Sequence, residues 1–182
     1  MISTLALITL LVACAKVKQL ANISVNIPYT QQITVPQYAN GLSGTPIPGG
    51  AELPFPAFAV ATNSQSYIAQ YHTSSDKIIS VDLQSLSLNI LTPPDQNFDF
   101  LDNVQVYISG QTLPEVLLAS DNSIPKGTSA LTLTTAPGVD LKDYFLQDTI
   151  YFRISAHINA VPFSGTQLNM ASVFHMVANP LE

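Results

Sequence analysis

The chain has 182 residues, of which 47% are hydrophobic and only 10% are charged, and its formal net charge is −6. That length fits one domain with a substantial core, and the low charge implies a polar surface built from Ser, Thr, Asn and Gln. The six basic residues are dispersed. This excludes a patch that could neutralise several phosphates, so nucleic acid is not an expected partner. The single cysteine excludes an intramolecular disulfide.

The first element is a mostly apolar segment at the N-terminus, residues 2–13. It is shorter than the roughly 20 residues that a membrane-spanning helix needs. Its length is that of the hydrophobic region of a signal peptide, although no Lys or Arg precedes it. The segment ends in Leu11-Val12-Ala13-Cys14, which resembles the lipobox of bacterial lipoproteins. That resemblance implies cleavage before Cys14 and attachment of a diacylglyceryl group to its thiol.

We therefore predict a signal peptide over residues 1–13, a tether over 14–20 and a single domain over 21–182. The acyl chains on Cys14 would give stable attachment to a membrane, since one chain binds marginally and two suffice. The residue after Cys14 is not Asp, which by resemblance to enterobacterial sorting favours the bacterial outer membrane and leaves the leaflet open. Two alternatives remain: an uncleaved N-terminal anchor, and a cysteine that is simply buried in the core.

The domain begins with a segment that alternates apolar residues with other residues from Ile23 to Tyr29. This period of two predicts a half-buried strand, and Pro28 favours an edge position because it cannot donate to a neighbouring strand. The alternation resumes at Ile33 and Val35. Residues 36–56 then contain five prolines and four glycines, a composition that predicts a Pro/Gly-rich loop.

A short helix is predicted to be capped by Asn63 or Ser64 and to run through Ser66–Tyr71. The apolar positions of the strand that comes next slip in phase by one residue across Gln84 and Ser85, which predicts a β-bulge. On the two sides of the slip, the inward positions are Ile79, Val81, Leu83 and Leu86, Leu88, Ile90.

The rest of the chain predicts further short strands near residues 104–108, 116–118, 131–134 and 150–158. A helical turn is expected to begin at Asp140. The last strand, Leu168–Val177, is apolar on both faces and is therefore expected to be central or covered. About eight strands with one or two short helices predict an all-β fold, an antiparallel two-layer β-sandwich.

Part of the C-terminal half resembles a known class of protein. The stretch from Ser75 to Ser109, SDKIISVDLQSLSLNILTPPDQNFDFLDNVQVYIS, is followed by LPEVLLAS and VDLKDYFLQDTIYFRISA. Together these segments resemble small β-sandwich lipoproteins of Bacteroidetes-type bacteria. The resemblance implies a location in the cell envelope and brings no catalytic residues with it.

A weak calcium motif lies in the acidic loop after the bulged strand. Asp95, Asn97 and Asp99 match the first three ligand positions of a calcium-binding loop. Phe100 stands where the turn glycine belongs, and Val106 where the bidentate Glu belongs. A solvated loop explains the same residues, so we predict no metal and no cofactor.

Enzyme activity is not predicted from the candidate catalytic residues. His72, His157 and His175 lack the mutual spacing of a zinc site. No G-x-S-x-G nucleophile elbow is present in the sequence. A catalytic site is therefore assigned to none of these residues.

The sequence suggests two kinds of binding, to a glycan or to a protein. Tyr67 and Tyr71 lie four residues apart on the predicted helix and would form an aromatic platform for a glycan, although residues at that spacing also pack a helix onto a sheet. The nearly charge-free segment 21–58 instead fits a protein interface, because interfaces are depleted in charge and enriched in aromatic residues. Its aromatic residues are Tyr29, Tyr38, Phe55 and Phe58.

The interpretation that follows is a lipid-anchored, non-enzymatic envelope protein. Its expected role is that of an accessory or scaffold subunit that binds another envelope protein. The alternative is a glycan-binding or adhesin-like module. For the segment 21–58, a loop that merely covers its own sandwich remains open as well.

Overall fold

A computed structural model describes residues 22–38 and 42–179. The predicted signal peptide, the tether and Cys14 lie outside the described residues. The described strands and helices are β1 Ile23–Thr34, β2 Pro46–Pro54, β3 Phe58–Ala61, α1 Ser64–Gln70, β4 Ile78–Thr92, β5 Leu101–Gly110, β6 Val116–Asp121, β7 Ala130–Thr135, α2 Lys142–Phe145, β8 Thr149–Ala160 and β9 Gln167–Ala178. None of these helices is long and apolar enough to cross a bilayer.

The strands form two antiparallel sheets, as predicted. Sheet A has the order β1-β9-β4-β7, and sheet B has the order β2-β8-β5-β6, with β3 also paired to β8. The sheets are joined where the end of β7 pairs with β6 through Ala119↔Thr135 and Ser120↔Thr134. The predicted edge position of β1 is confirmed by this order, and so is the predicted central position of β9.

The connectivity is that of a jelly roll. Both β2 and β3 pair with β8, so they act as one interrupted strand. Counted this way, the first strand pairs with the last, β1 with β9, and each later pair nests inside it: β2 and β3 with β8, β4 with β7, and β5 with β6. Nested pairs of this kind, folded into two facing sheets, define the double Greek key.

The core lies between the two sheets because each strand alternates inward and outward side chains. On β8, the predicted inward residues Ile150, Phe152, Ile154, Ala156 and Ile158 are all buried. On β9 the alternate residues Met170, Phe174 and Met176 are buried in the same way. The period of two in the sequence therefore identified the core faces of these strands correctly.

The prediction of a loop throughout residues 36–56 is wrong, since β2 spans Pro46–Pro54. The register with β8 shifts between Pro46 and Ala51, and then runs regularly from Ala51 to Pro54. Prolines are tolerated there because β2 is an edge strand, where a missing backbone donor leaves no partner unsatisfied. The irregular start hides the period that sequence analysis depends on.

The predicted bulge on β4 is confirmed, because the register with β9 shifts between Leu83 and Ser85. The prediction is wrong for one of the inward residues, Ile79. A second shift lies between Ile78 and Ser80, so that Ile78 is buried while Ile79 is 49% exposed. Because Ile78 and Ile79 are adjacent and both apolar, the sequence does not indicate which of them faces inward.

The sandwich has two ends, which we name by the course of β1. At the proximal end, Ile23 begins β1 beside Ala178. At the distal end, Thr34 finishes β1 beside Gln167. The twelve residues of β1 separate the two ends by about 40 Å at roughly 3.3 Å per residue.

Candidate binding surfaces

The two tyrosines proposed as a glycan platform pack against the sandwich. Helix α1 forms where predicted, with Ile68 buried. Tyr67 and Tyr71 are both half-buried against the core, and the Tyr67 ring lies 6.5 Å from that of Phe145. These two tyrosines therefore attach α1 to the sheets.

Two of the three calcium candidates, Asn97 and Asp99, stabilise neighbouring loops. The Asn97 side-chain oxygen Oδ1 accepts a hydrogen bond from the Asp99 backbone N–H at 3.0 Å. Asp99 Oδ1 in turn accepts from the Gly127 N–H at 2.7 Å. Asp95 is exposed. Across residues 22–38 and 42–179, no three His, Cys, Asp or Glu side chains are grouped in a way that could hold a metal ion.

The aromatic residues of the segment 21–58 also point into the molecule. Phe55 is buried, and Phe58 stacks on Phe152 with ring centroids 5.8 Å apart. Tyr29 donates its hydroxyl to the Thr62 carbonyl oxygen, and burial raises its pKa. Tyr38 is half-buried against the core. This placement favours the alternative in which the segment covers its own sandwich.

Exposed large apolar residues nevertheless lie at the distal end. Leu42 is 85% exposed, Phe163 44% and Leu91 43%. Leu42 and Phe163 come from connections that are hydrogen-bonded to each other, because the Gly44 N–H donates to the Val161 carbonyl at 2.7 Å. Leu91 lies near the end of β4, beside the first residues of β9. These three residues constitute the distal apolar cluster.

The connection that carries Phe163 is held in place by a buried amide. Gln96 is only 6% exposed. Its Oε1 accepts from the Phe163 N–H at 3.0 Å, and its Nε2 donates to the Asn97 carbonyl. Beside Phe163 lies a shallow cleft of about 270 Å³ whose lining includes Asp95 and Phe100. The distal end therefore presents exposed apolar side chains on a fixed backbone.

The outer face of sheet A is almost free of charge. Among residues 22–38 and 42–179, its only ionisable side chains are Asp82 and His175, whose Oδ1 and Nδ1 atoms lie 3.4 Å apart. Most of the other outward residues are small, and all are neutral: they include Ser24, Asn26, Pro28, Thr30 and Gln32 on β1, Asn169, Ala171, Val173 and Val177 on β9, Ser80, Ser85, Ser87 and Asn89 on β4, and Thr132 and Thr134 on β7. We call these residues the neutral face.

The outer face of sheet B, in contrast, carries a charged network. Arg153 donates to both carboxylate oxygens of Glu115 at 2.8 and 2.6 Å, and its guanidinium carbon lies 4.3 Å from the centre of the Tyr107 ring. The hydrogen bond from Arg153 lowers the pKa of Glu115. Arg153 and Glu115 on this face are thus paired with each other.

A second part of the network surrounds His157. Asp102 accepts from Asn159 Nδ2 at 2.6 Å, and its other oxygen lies 3.0 Å from His157 Nδ1. The hydrogen bond from Asn159, followed by the contact with His157, lowers the pKa of Asp102. Gly50 of β2 lies directly on the imidazole, where a Cβ would overlap the ring.

Sequence analysis missed both the network and the distal apolar cluster. Each brings together residues from strands or connections that are far apart in the chain, so no local spacing marks them. The available signal for Leu42 and Phe163 was weak: each is a lone large apolar residue in a polar, Gly-containing connection.

Comparison with known proteins gives no family. No protein-family model matches the sequence, and no curated protein matches it. A solved structure of Desmodium yellow mottle tymovirus aligns with 88% of this chain and 91% of its own, at 12% sequence identity and a TM-score of 0.29. A TM-score this low does not indicate a shared fold.

Proposed function

We propose that this protein is a lipid-anchored, non-enzymatic accessory or scaffold subunit of the bacterial outer membrane, and that it binds another envelope protein through its distal end. The observation that carries the proposal is the distal apolar cluster. It places Leu42, Phe163 and Leu91 at the end of the sandwich opposite the start of β1. The lipobox-like sequence that ends at Cys14 supports the anchor.

The position of the anchor in the chain fits a distal binding surface. Cys14 precedes Asn22 by eight residues, which reach at most about 28 Å when fully extended. A lipid on Cys14 therefore holds the proximal end close to the membrane. The distal end is then directed away from the lipid by the length of the sandwich, where a partner has access to it.

The chemistry of the distal end favours a protein partner. Exposed large apolar residues in contact with polar surroundings are typical of the centre of a protein interface, where they become desolvated on binding. Tyr67 and Tyr71 pack against the core, so the glycan alternative loses the platform that suggested it.

The experiment compares two substitutions of equally exposed apolar residues. Phe163→Asp lies in the distal apolar cluster, and Ile79→Asp is the matched control, since Phe163 is 44% exposed and Ile79 is 49% exposed at the proximal end. Native membranes that express each variant are extracted with mild detergent, and co-purifying proteins are identified.

We expect a stoichiometric envelope partner with the wild type and with Ile79→Asp, and at least a tenfold loss of that partner with Phe163→Asp. Two results contradict the proposal: equal retention by both variants, or extraction of the wild type without any stoichiometric partner. Thermal unfolding of both variants checks that they are folded.

A further inference from the structure

We propose that the neutral face of sheet A is a self-association surface, occupied by the same face of a second copy of this chain. This surface is separate from the distal apolar cluster. Apart from the Asp82–His175 pair, every outward side chain on the four strands is neutral, in a chain whose net charge is −6.

A neutral face of this kind is complementary to itself. Hydroxyl and amide groups both donate and accept hydrogen bonds, so a Ser, Thr or Asn can pair with its own counterpart. In a twofold dimer each surface patch meets an identical patch. A charged face such as that of sheet B would then place like charges opposite each other, which is unfavourable.

The size of the face is close to the lower limit for a stable dimer. Strands β1 and β9 each have twelve residues, which gives a length of about 40 Å at roughly 3.3 Å per residue. Four strands spaced about 4.8 Å apart cover a width of about 15–19 Å. Because β7 has only six residues, the resulting area is about 500–670 Å², near the lower end of standard interfaces, which bury about 600–1,000 Å² per partner.

The shape of the face also permits close approach. Along β9, the middle of the face is formed by Asn169, Ala171 and Val173, and all three are only half-exposed because neighbouring strands flank them. Side chains of this size allow two sheets to pack about 10 Å apart. Long charged side chains would hold them further apart.

The geometry agrees with membrane attachment, and this step alone rests on the proposed function. A twofold axis parallel to the strands places the proximal ends of both copies on the same side. Both Cys14 lipids then enter one leaflet. Attachment to a common surface raises the effective concentration of the second copy, so that a weak interface is occupied on the membrane.

The main test places a positive charge on the middle of the neutral face. Val173→Arg introduces the same charge twice across a twofold interface, whereas Ser155→Arg, on the middle strand of sheet B, is the matched control. The full-length acylated protein is purified in detergent, and its mass is measured by sedimentation over a range of protein concentrations. We expect a dimer for the wild type and for Ser155→Arg, and at least a tenfold weaker dimer for Val173→Arg.

A second measurement covers the case in which Val173→Arg fails to fold. Ala171→Cys, near the centre of the neutral face, and Ser155→Cys are each treated in native membranes with a flexible bismaleimide. Crosslinked dimer above the wild-type level is expected from Ala171→Cys only. The inference is overturned by crosslinking that is equal at the two positions, by crosslinking at neither, or by a wild type that stays monomeric in detergent.

The outcomes separate this inference from the proposed function. Phe163→Asp should leave the dimer unchanged while it removes the envelope partner. If Cys14→Ser, at high concentration, still dimerises and remains sensitive to Val173→Arg, the neutral face is confirmed independently of the lipid. An acylated protein with an envelope partner but no dimer would overturn the self-association inference and leave the proposed function intact.

Discussion

The outer faces of the two sheets differ in the charge of their side chains, whereas the inner faces of both sheets are apolar and buried. On sheet B, Arg153 is hydrogen-bonded to Glu115 and lies against the Tyr107 ring. Asp102 lies within hydrogen-bonding distance of the His157 ring. On sheet A, the outward positions are neutral except for one Asp–His pair. The outer face of sheet B therefore carries more charged side chains than the outer face of sheet A. The comparison indicates that the other face is available for contact with a similar surface.

The largest effects should come from the inner faces, where the sheets are expected to behave alike. Phe152 of sheet B is fully buried, and Phe174 of sheet A is 2% exposed. Substitution of either by Ala should lower the free energy of unfolding by about 3–5 kcal/mol, because the transfer free energy of the ring is lost and a cavity remains. Urea unfolding measures both. A change of less than about 1 kcal/mol in one of them would mean that its sheet is not packed against the core as described.

The next effect concerns Gly50 on sheet B. Gly49 and Gly50 both have positive φ, 79° and 69°, but only Gly50 faces the His157 ring. Gly49→Ala should cost about 1–2 kcal/mol from backbone strain alone. Gly50→Ala should cost about 1 kcal/mol more, since displacement of the imidazole breaks its hydrogen bond to Asp102.

The control for Gly50 is the same pair of substitutions in a His157→Ala background. Removal of the ring should make Gly50→Ala and Gly49→Ala equal in thermal unfolding. If the difference between them persists without His157, the contact between β2 and the charged network is not its cause.

A smaller effect is expected for the Arg153–Glu115 pair. Both side chains are more than one-third exposed, so solvent screens their attraction. A double-mutant cycle with Arg153→Ala and Glu115→Ala should give a coupling free energy of about 0.2–1 kcal/mol. Repetition of the cycle in high salt should reduce the coupling further. A coupling that is large and independent of salt would contradict the description of this pair as solvent-exposed.

The smallest effect is a pH dependence from Asp102. Its pKa is lowered in the folded protein, chiefly by the hydrogen bond from Asn159. A carboxylate with a depressed folded-state pKa stabilises the fold above its unfolded pKa of about 3.9, and that contribution is lost as pH falls through the folded-state value. As the pH falls below about 5 and through these two pKa values, the stability of the wild type should therefore fall more steeply than that of Asp102→Asn. Parallel curves would show that Asp102 makes no such contribution.

The strands could be predicted because each buried face repeats every two residues. Along β8, five alternate apolar positions identified the inward side without any knowledge of its neighbours. The slip across Gln84 and Ser85 predicted a bulge for the same reason. Ile79 was misassigned because a second register shift lies between Ile78 and Ser80, and two adjacent isoleucines fit either phase.

The binding surfaces could not be predicted because they depend on register and topology. Nothing near Leu42 in the sequence indicates that its connection is hydrogen-bonded to the one that carries Phe163. The neutral face depends on which strands are neighbours. The sequence also does not indicate whether the aromatic residues of the segment 21–58 face the core or the solvent. Tyr67 and Tyr71 show the same limit, since an i, i+4 pair forms a platform or a packing face according to what lies beneath it.

The most direct test of the central claim is the intact mass of the protein recovered from its host's membrane fraction, compared with that of Cys14→Ser. The account predicts a native form that lacks residues 1–13 and carries the mass of a diacylglyceryl and an amide-linked acyl group. It also predicts that Cys14→Ser carries no acyl mass. A native chain without acyl mass, whether full-length or cleaved elsewhere, would contradict the lipid anchor and with it the assignment of a membrane-proximal and a membrane-distal end.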